Sequence, residues 1–250
     1  METLFNFEPM LLAQLESGDY VGFTFFIGSM AMLAATVFFF VQFTQVDGKW
    51  KDSMLVSGLI TFIAAVHYFY MRDFWATNQA SPTEFRYIDW ILTVPLMCVE
   101  FYLILKAFGA KIGLMWRMIA YSVFMLVTGY LGETVFRDAS PLWGAISTIG
   151  YAAIFYEVWF GPAKKLANNS NDPVLQKAFK TLGWFIFVGW AIYPIGYMAI
   201  EGGLLSGLLS VESMDIIYNI GDAINKIGFG LVIYSLAIQK TNQKAQTAAA

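Results

Sequence analysis

The chain has 250 residues, of which 58% are hydrophobic and only 13% are charged, and its mean hydropathy is +0.59. A soluble domain usually carries about 25% charged residues, so this composition is typical of a membrane protein and argues against a soluble enzyme. The net charge of −3 gives no reason to expect a nucleic-acid partner. The single cysteine, Cys98, excludes an intrachain disulfide and a cysteine-ligated metal cluster.

The N-terminal residues do not have the pattern of a cleavable signal peptide. The first 20 residues contain four acidic and no basic side chains, whereas a signal peptide begins with a positively charged region. We therefore expect residues 1–19 to form an extracellular segment ahead of the first membrane span.

Seven stretches are long and apolar enough to cross a bilayer as helices, which takes about 20 mostly apolar residues each. They are residues 20–44, 54–70, 84–106, 112–131, 141–160, 179–200 and 213–238. The polar links between them are too short for a second domain, and the strands of a membrane barrel would alternate over only ~10 residues. The sequence therefore predicts an all-α membrane protein with one seven-helix bundle over residues 20–238. A polar tail over 239–250 follows, and we expect it to be frayed.

The basic residues predict the orientation of the bundle. If the helices alternate in direction, eleven basic residues fall on one side: Lys49, Lys51, Lys106, Lys111, Arg117, Lys164, Lys165, Lys177, Lys180, Lys240 and Lys244. The other side keeps Arg72 and Arg137 among many carboxylates. Because cytoplasmic loops carry an excess of Lys and Arg, the N-terminus is predicted outside and the C-terminus in the cytoplasm.

Seven ionisable residues remain inside the predicted spans once the loops are set aside. They are His67, Arg86, Asp89, Glu100, Glu157, Asp222 and Lys226. Lys226 follows Asp222 by four residues, so the two side chains share one face of the last helix. A lysine at membrane depth is costly, and its default interpretation is a functional site with a partner. The alternative is a buried ion pair with a purely structural role, which would leave Glu100 unexplained.

The third span carries Arg86, Asp89, Thr93 and Glu100 along one stripe of the helix. Asp89 and Glu100 are roughly 16 Å apart along the helix axis, with Asp89 nearer the outside and Glu100 nearer the cytoplasm. Asp89 lies at the depth of Lys226, so we expect Asp89 to be ionised and the isolated Glu100 to hold a proton at rest. An ionised carboxyl group and a protonated one on opposite sides of a cation predict that protons move along this path in one direction.

Aromatic residues surround the expected position of the lysine. Trp190, Tyr193, Pro194 and Tyr197 recur with the spacing of one helix face, and Trp90 lies on the third span. These residues predict the walls of a site for a flat apolar ligand, although ordinary packing would use the same pattern. A lysine in a dry pocket tends to lose its proton and can then condense with a carbonyl group to form a Schiff base.

Three motifs carry a resemblance to the microbial rhodopsins, and most closely to the proteorhodopsin group. They are the segment from Arg86 to Glu100, Trp-Ala-Ile-Tyr-Pro at 190–194, and Asp-Ala-Ile-Asn-Lys-Ile-Gly-Phe-Gly at 222–230. The similarity extends over essentially all seven spans. It implies that Lys226 binds all-trans retinal as a protonated Schiff base.

The resemblance also implies the roles of the ionisable residues. Asp89 is the primary counterion and proton acceptor, and Asp222 is the second counterion. Glu100 is the cytoplasmic proton donor. Thr93 supports Asp89, and Arg86 lies on the outer side of the counterions.

Further residues receive a role from the same resemblance. His67 would pair with the acceptor and couple it to a neighbouring protomer of a homo-oligomer, a pentamer or hexamer; otherwise a lone histidine is more often a core residue. Tyr68 and Tyr193 would donate hydrogen bonds to the second counterion. Met97 stands at the position that tunes colour, where an apolar residue indicates absorption of green light.

Four positions receive weaker predictions. A glycine near Gly144 opens a window beside the retinal ring in related rhodopsins, where a carotenoid antenna can lie; the alternative is close helix packing through a small residue. Glu201, Glu212 and Asp215 are candidate proton-release groups, although acidic outer loops are ordinary.

The function predicted from these residues is a light-driven outward proton pump, a transporter of H⁺ in the lipid bilayer of a bacterial inner membrane. Sodium and chloride pumps of this family carry other residues where this chain has Asp89, Thr93 and Glu100. A photosensor is the first alternative, but sensors often lack a cytoplasmic donor such as Glu100. A ligand-activated receptor or membrane enzyme is the second, but the loops are short and no metal-ligand cluster or nucleophile–base pair is visible.

Overall fold

The computed structural model describes residues 17–199, 203 and 205–249, and this part of the chain contains helices and no strand. Its α-helices are α1 (Tyr20–Gln42), α2 (Gly48–Asn78), α3 (Thr83–Lys106), α4 (Ile112–Tyr130), α5 (Ser140–Trp159), α6 (Pro162–Asn169), α7 (Pro173–Trp184), α8 (Ile192–Ala199) and α9 (Val211–Ala249). Two π-helical turns, Leu131–Val135 and Phe185–Gly189, and a 3-10 turn, Arg137–Ala139, lie between them.

The long helices close into a ring of seven spans. α1 packs against α2 and α9, α3 packs against α2 and α4, and α5 packs against α4 and α8. The sixth span consists of α7, the following π-helical turn and α8, and both of its helices contact α9. The predicted seven-helix bundle is therefore confirmed, while its orientation in the membrane stays a prediction.

In the part of the chain that the structure describes, six of the seven spans have the length and the apolar composition needed to cross a membrane. The other span is α5, whose 20 residues include several Gly, Ser, Thr and Tyr residues and the carboxylate of Glu157. These polar and small residues lower its hydropathy. α5 nevertheless occupies the fifth position of the ring, between α4 and the sixth span.

The last helix is longer than the sequence analysis predicts. α9 continues to Ala249, so the expectation of a frayed tail after residue 238 is wrong. Two ion pairs hold this extension against neighbouring loops: Lys240 Nζ is 2.6 Å from Asp172 Oδ2, and Lys244 Nζ is 2.6 Å from Asp47 Oδ1. These contacts bring together loops that the charge pattern assigns to the same side of the membrane.

The sixth span is irregular where it approaches α9. In the π-helical turn, Trp190 N donates to Phe185 O at 2.9 Å, five residues earlier. The widened turn leaves the carbonyl of Gly189 available, and Asn225 Nδ2 on α9 donates to it at 2.9 Å. A side chain at Gly189 would collide with Asn225, so the glycine permits this close approach of the two helices. π-helical turns inside α-helices are frequent at functional sites.

Candidate functional site

Lys226 lies at the centre of the bundle between two carboxylates. Its Nζ donates hydrogen bonds to Asp89 Oδ2 on α3 and to Asp222 Oδ2, one turn earlier on α9. Lys226 and Asp222 are each 2% exposed and Asp89 is fully buried. The structure therefore brings together the three residues that the sequence analysis placed at one depth.

Asp222 is the more firmly held of the two carboxylates. Tyr68 Oη donates to its Oδ2 at 3.1 Å, and Tyr193 Oη donates to its Oδ1 at 2.9 Å. Both hydrogen bonds were predicted. Together with the bond from Lys226, they give Asp222 three donors, which fix the position of its carboxylate.

Asp89 receives fewer hydrogen bonds. Its Oδ1 is buried and has no hydrogen-bond partner among the described residues. His67 Nδ1 lies 3.8 Å from this oxygen, beyond hydrogen-bond distance, and 2.8 Å from Ile63 O. Thr93 Oγ1 donates to the backbone carbonyl of Asp89 at 2.9 Å rather than to its carboxylate, so Thr93 supports the helix at Asp89. Asp89 thus keeps one oxygen available.

Arg86 binds a residue to which the sequence analysis did not pair it. Its Nη2 donates to Asp215 Oδ1 at 2.9 Å and to Asn219 Oδ1 at 2.8 Å, both on α9. The guanidinium also lies over the rings of Phe25 and Tyr218, at 5.2 and 5.3 Å from their centroids. Arg86 therefore connects α3 and α9 near their N-terminal ends.

Glu100 lies in a different environment near the opposite end of α3. It is fully buried, and Ser57 Oγ donates to its Oε1 at 2.9 Å. Its Oε2 has no partner there. No ion pair joins Glu100 to a basic side chain among these residues. This isolation agrees with the expectation of a carboxyl group that holds a proton.

A cavity of about 380 Å³ lies beside the lysine centre, between α3, α4, α5 and the sixth span. All five residues of the predicted aromatic wall line it: Trp90, Trp190, Tyr193, Pro194 and Tyr197. The rings of Trp90 and Tyr193 are in contact, with centroids 4.9 Å apart. Tyr193 joins the cavity to the lysine centre, because its ring lines the cavity while its hydroxyl binds Asp222.

Three other predicted pocket residues do not line this cavity. Lys226 and Tyr68 are buried beside it, and Met97 lies 2% exposed in the hydrophobic core. Gly144 does line the cavity. A Cβ at Gly144 would lie 2.6 Å from Cε1 of Tyr197, so the tyrosine ring occupies the space beside the glycine. That arrangement fits the packing alternative for Gly144.

Glu133 is a cavity residue that the sequence analysis did not single out. It lies in the π-helical turn after α4, and its Oε2 accepts a hydrogen bond from Tyr87 Oη at 2.8 Å. Because Glu133 follows the predicted end of the fourth span, the sequence places it among the acids of a loop. Tyr87, next to Arg86 on α3, is the sequence feature that could have indicated a polar partner such as Glu133.

The remaining predicted acids have different environments. Glu157 is buried and pairs with Arg117 Nη2 at 2.9 Å. Glu212 is exposed at the start of α9, and Asp215 is buried with Arg86. Glu201 lies outside the described residues.

The fold and this site define a class of protein: a seven-helix membrane protein whose last span holds a buried lysine between carboxylates of the third and seventh spans. Residues 19–240 match the model of the bacteriorhodopsin-like protein family, and the chain belongs to that family.

Individual relatives agree with this assignment. The chain is 43% identical over 229 residues to a green-light absorbing proteorhodopsin from Gamma-proteobacterium EBAC31A08, covering 91% of this chain and 90% of that protein. The crystal structure of a blue light-absorbing proteorhodopsin from Med12 superposes with a TM-score of 0.75 at 40% identity, covering 88% of this chain and 99% of that one. Xanthorhodopsin, described as a light-driven ion pump with dual chromophore, superposes with a TM-score of 0.79 at 28% identity, covering 92% and 98% of the two chains. The resemblance to microbial rhodopsins, and to the proteorhodopsin group within them, is confirmed.

Proposed function

We propose that this protein is a light-driven outward proton pump that carries retinal on Lys226, and therefore a transporter rather than an enzyme. The observation that carries the proposal is the placement of the Lys226 amine between Asp89 and Asp222, with one oxygen of Asp89 left available. The similarity to proteorhodopsins and to an ion pump driven by light supports it.

The residues present fit retinal. The cavity of about 380 Å³ falls in the size range of small-molecule sites, and its walls are largely aromatic and apolar. Trp90 and Tyr193 connect it to the lysine centre. When bound to Lys226, retinal supplies the absorption of light and a change of shape at the nitrogen of the lysine.

Asp89 is the better proton acceptor of the two carboxylates. Asp222 already accepts three hydrogen bonds, whereas Asp89 accepts one, from Lys226, and its other oxygen has no partner among the described residues. The proton at Lys226 Nζ therefore passes to Asp89, and Asp222 stays bound by its tyrosine donors. This transfer moves the proton from α9 to α3.

Glu100 replaces the proton that Lys226 loses. It is buried towards the end of the bundle where the lysine-rich loops lie, and Ser57 orients its carboxyl group. Asp89 lies towards the other end, so the donor and the acceptor flank the lysine. With the basic loops in the cytoplasm of a bacterial cell, as the positive-inside rule requires, the direction of transport is outward across the inner membrane.

Two further roles belong to this proposal. His67, 3.8 Å from Asp89 Oδ1 and 19% exposed, tunes the acceptor and connects it to a neighbouring protomer in a pentamer or hexamer. Met97, buried on α3, favours absorption of green light.

A carotenoid antenna at Gly144 stays a prediction. The ring of Tyr197 packs against the partly exposed glycine, and Tyr197 Oη donates to the carbonyl of Ser140 at 2.9 Å. The function we propose requires retinal alone. Energy transfer to retinal from an added carotenoid, seen in the excitation spectrum, would show that an antenna is bound as well.

Light-driven acidification tests the function directly. Cells that express the protein with retinal are illuminated in unbuffered medium, and we expect the external pH to fall and a protonophore to abolish the change. Lys226→Ala should be colourless with retinal and should not pump. Lys240→Ala, which removes another lysine of the same helix, is the matched control and should remain coloured and active.

Two outcomes would contradict the proposal. A coloured, covalently linked Lys226→Ala product would rule out the attachment site. A coloured wild-type protein that recovers over seconds without acidifying the medium would support the photosensor instead.

A further inference from the structure

The cavity beside the lysine centre is open along one edge of α5. Pro141, Ala145 and Thr148 line the cavity and are also exposed at the surface of the bundle. Ala145 shares a helix face with Leu142 and Ile149, which do not line the cavity and are 62% and 64% exposed. The edge of the cavity therefore meets the face that α5 turns towards the surrounding lipid.

Two hydrogen-bonded contacts join α5 to the sixth span on either side of this opening. Tyr197 Oη donates to Ser140 O at 2.9 Å near the start of α5, and Tyr151 Oη donates to Ile186 O at 2.9 Å further along the helix. Ser140 and Tyr151 are eleven residues apart, so roughly 16 Å of helix lies between the two contacts. We call the stretch between these two contacts the α5 seam.

The hydroxyl groups within the α5 seam do not hold it closed. Thr148 Oγ1 donates to Gly144 O of its own helix at 2.8 Å, and Ser147 Oγ donates to Met125 O on α4 at 2.7 Å. Small residues at a membrane helix interface usually allow two helices to approach closely. In the α5 seam, however, Gly144, Ala145 and Thr148 adjoin a cavity, so they leave space between α5 and the sixth span.

The part of α5 beyond the seam is packed with aromatic rings instead. The ring centroids of Phe155 and Phe187 are 5.4 Å apart, and those of Trp159 and Trp184 are 5.2 Å apart. In the α5 seam, the cover is the ring of Tyr197, which packs against a glycine. Displacing this one ring opens the seam, whereas several interlocked rings would have to move further along the helix.

The cavity leads from the α5 seam to the lysine centre. Tyr193 lines the cavity, and its hydroxyl binds Asp222, which contacts Lys226. Lys226 is only 2% exposed, and carboxyl groups on α3 and α9 flank its amine. Retinal is a long apolar aldehyde that prefers lipid to water. The side of the lysine centre that suits such a molecule is therefore the cavity and not the polar side.

We propose that the α5 seam is the lateral entrance through which Lys226 receives retinal from the bilayer, and that the ring of Tyr197 closes this entrance. This inference rests on the proposed function. Loading requires the ring of Tyr197 to swing away from Gly144, and the hydrogen bonds with Ser140 draw it back. The entrance sets the rate at which the protein becomes coloured, whereas the walls of the cavity determine the final colour.

The test follows the rate at which retinal-free protein in liposomes becomes coloured after retinal-loaded vesicles are added. In Ala145→Cys, a bulky thiosulfonate reagent forms a mixed disulfide at the edge of the seam, and a reducing agent removes it. The native Cys98 is fully buried, so we expect the label at position 145 alone. The labelled protein should gain colour about tenfold more slowly, which corresponds to a barrier raised by about 1.4 kcal/mol. Reduction should restore the rate.

Two controls separate the entry of retinal from its fit in the cavity. Ile149→Cys carries the same label on the lipid-facing side of α5 but away from the cavity, and should gain colour at the wild-type rate. Ala145→Cys that is labelled after retinal has bound should keep its absorption maximum, because the entrance is no longer needed.

Uptake by labelled Ala145→Cys at the rate of labelled Ile149→Cys would overturn the entrance. If the late label also shifts the colour, Tyr197→Phe decides. Loss of its bonds with Ser140 should speed uptake about fivefold, as expected for a hydrogen bond of about 1 kcal/mol, and unchanged or slower uptake would exclude the entrance. A protein that takes up retinal through the seam but does not acidify the medium would remove the proposed pump and leave the entrance intact.

Discussion

The two carboxylic acids on the inner face of α3 have the same chemistry and almost opposite surroundings. Asp89 touches the ammonium of Lys226 and lies near His67. Glu100, eleven residues further along, accepts a hydrogen bond from the hydroxyl of Ser57 and has no ion pair in the described part of the chain. Both are fully buried. Burial alone disfavours the charge on either acid, and only Asp89 has a neighbouring cation, Lys226, that opposes this effect. In the proposed pump, α3 can therefore supply both the proton acceptor and the proton donor, because the neighbours of the two acids differ.

Removing the charge of the acceptor should have the largest effect. We expect Asp89→Asn to reduce light-driven acidification to background, because the proton of Lys226 loses the acceptor that lies beside it. The resting colour should shift to the red, since a negative charge close to the lysine nitrogen no longer stabilises the ground state. External pH recording and an absorption spectrum check both results.

A surface acid provides the control for this variant. Asp172→Asn should keep the wild-type colour and pumping, because Asp172 lies at the end of the bundle with Lys240. Continued acidification by Asp89→Asn would show that Asp89 is not the acceptor and that its contact with Lys226 has another role.

Neutralising the donor should have the next largest effect. In Glu100→Gln we expect the lysine nitrogen to regain its proton about 100-fold more slowly, in line with the loss of one general acid. Colour and the first proton transfer should not change, because Glu100 has no contact with Lys226. Flash spectroscopy with and without azide measures the rate, and azide should restore it. Unchanged kinetics would remove Glu100 from the path.

The hydroxyl group beside the donor offers a finer test. Ser57→Ala removes the hydrogen bond to Glu100, which is worth about 1 kcal/mol or a factor of about five in rate. We expect reprotonation to slow by a few-fold, since the carboxyl group loses its fixed orientation. Ser29→Ala is the matched control, because Ser29 binds the backbone of Ala65 instead. An equal slowing in both variants would indicate a general loosening of α2.

The sequence predicts the centre of this site better than its edges. Lys226 and Asp222 are one turn apart on a helix, and the stripe on α3 follows from helical spacing, so the local pattern is sufficient to bring them to one depth. The partners of Arg86 could not be derived in this way. Its contact with Asp215 depends on how α3 and α9 pack and on which way a long side chain turns.

The ends of the helices and the lining of the cavity also could not be predicted from the local sequence pattern. The apolar pattern predicts that the last span ends near residue 238, but α9 continues to Ala249. In this extension, Lys240 and Lys244 pair with Asp172 and Asp47, which lie in loops distant in sequence. Glu133 enters the cavity through a π-helical turn, which an apolar pattern does not reveal. Apolar composition predicts which residues span the membrane, whereas the helix ends and the cavity residues near its surfaces depend on tertiary contacts.

The smallest expected effect concerns Lys240 of α9, which pairs with Asp172 at the partly exposed end of the bundle. Burial opposes the charge on Asp172, but hydrogen bonds from Lys240 and from the backbone amides of Leu175 and Val174 outweigh it and hold the pKa of Asp172 below its ordinary value. A carboxyl group with a lowered pKa in the folded state stabilises the protein above its unfolded pKa, and this stabilisation is lost as the pH falls through the folded pKa.

Lys240→Ala should therefore lower the stability at pH 7 by about 0.5 kcal/mol, the usual worth of a pair near water. The difference from wild type should disappear at a pH below the pKa of the folded carboxyl group, where Asp172 is neutral in both proteins. Thermal loss of the visible colour, recorded at pH 7 and at the acid pH, measures this difference in stability. Lys244→Ala, in which the substituted side chain is 68% exposed, should have a smaller effect. A difference that persists in acid would mean that Lys240 acts through its packing and not through its charge, unlike Lys226, whose pairing with Asp89 and Asp222 is the basis of the proposed pump.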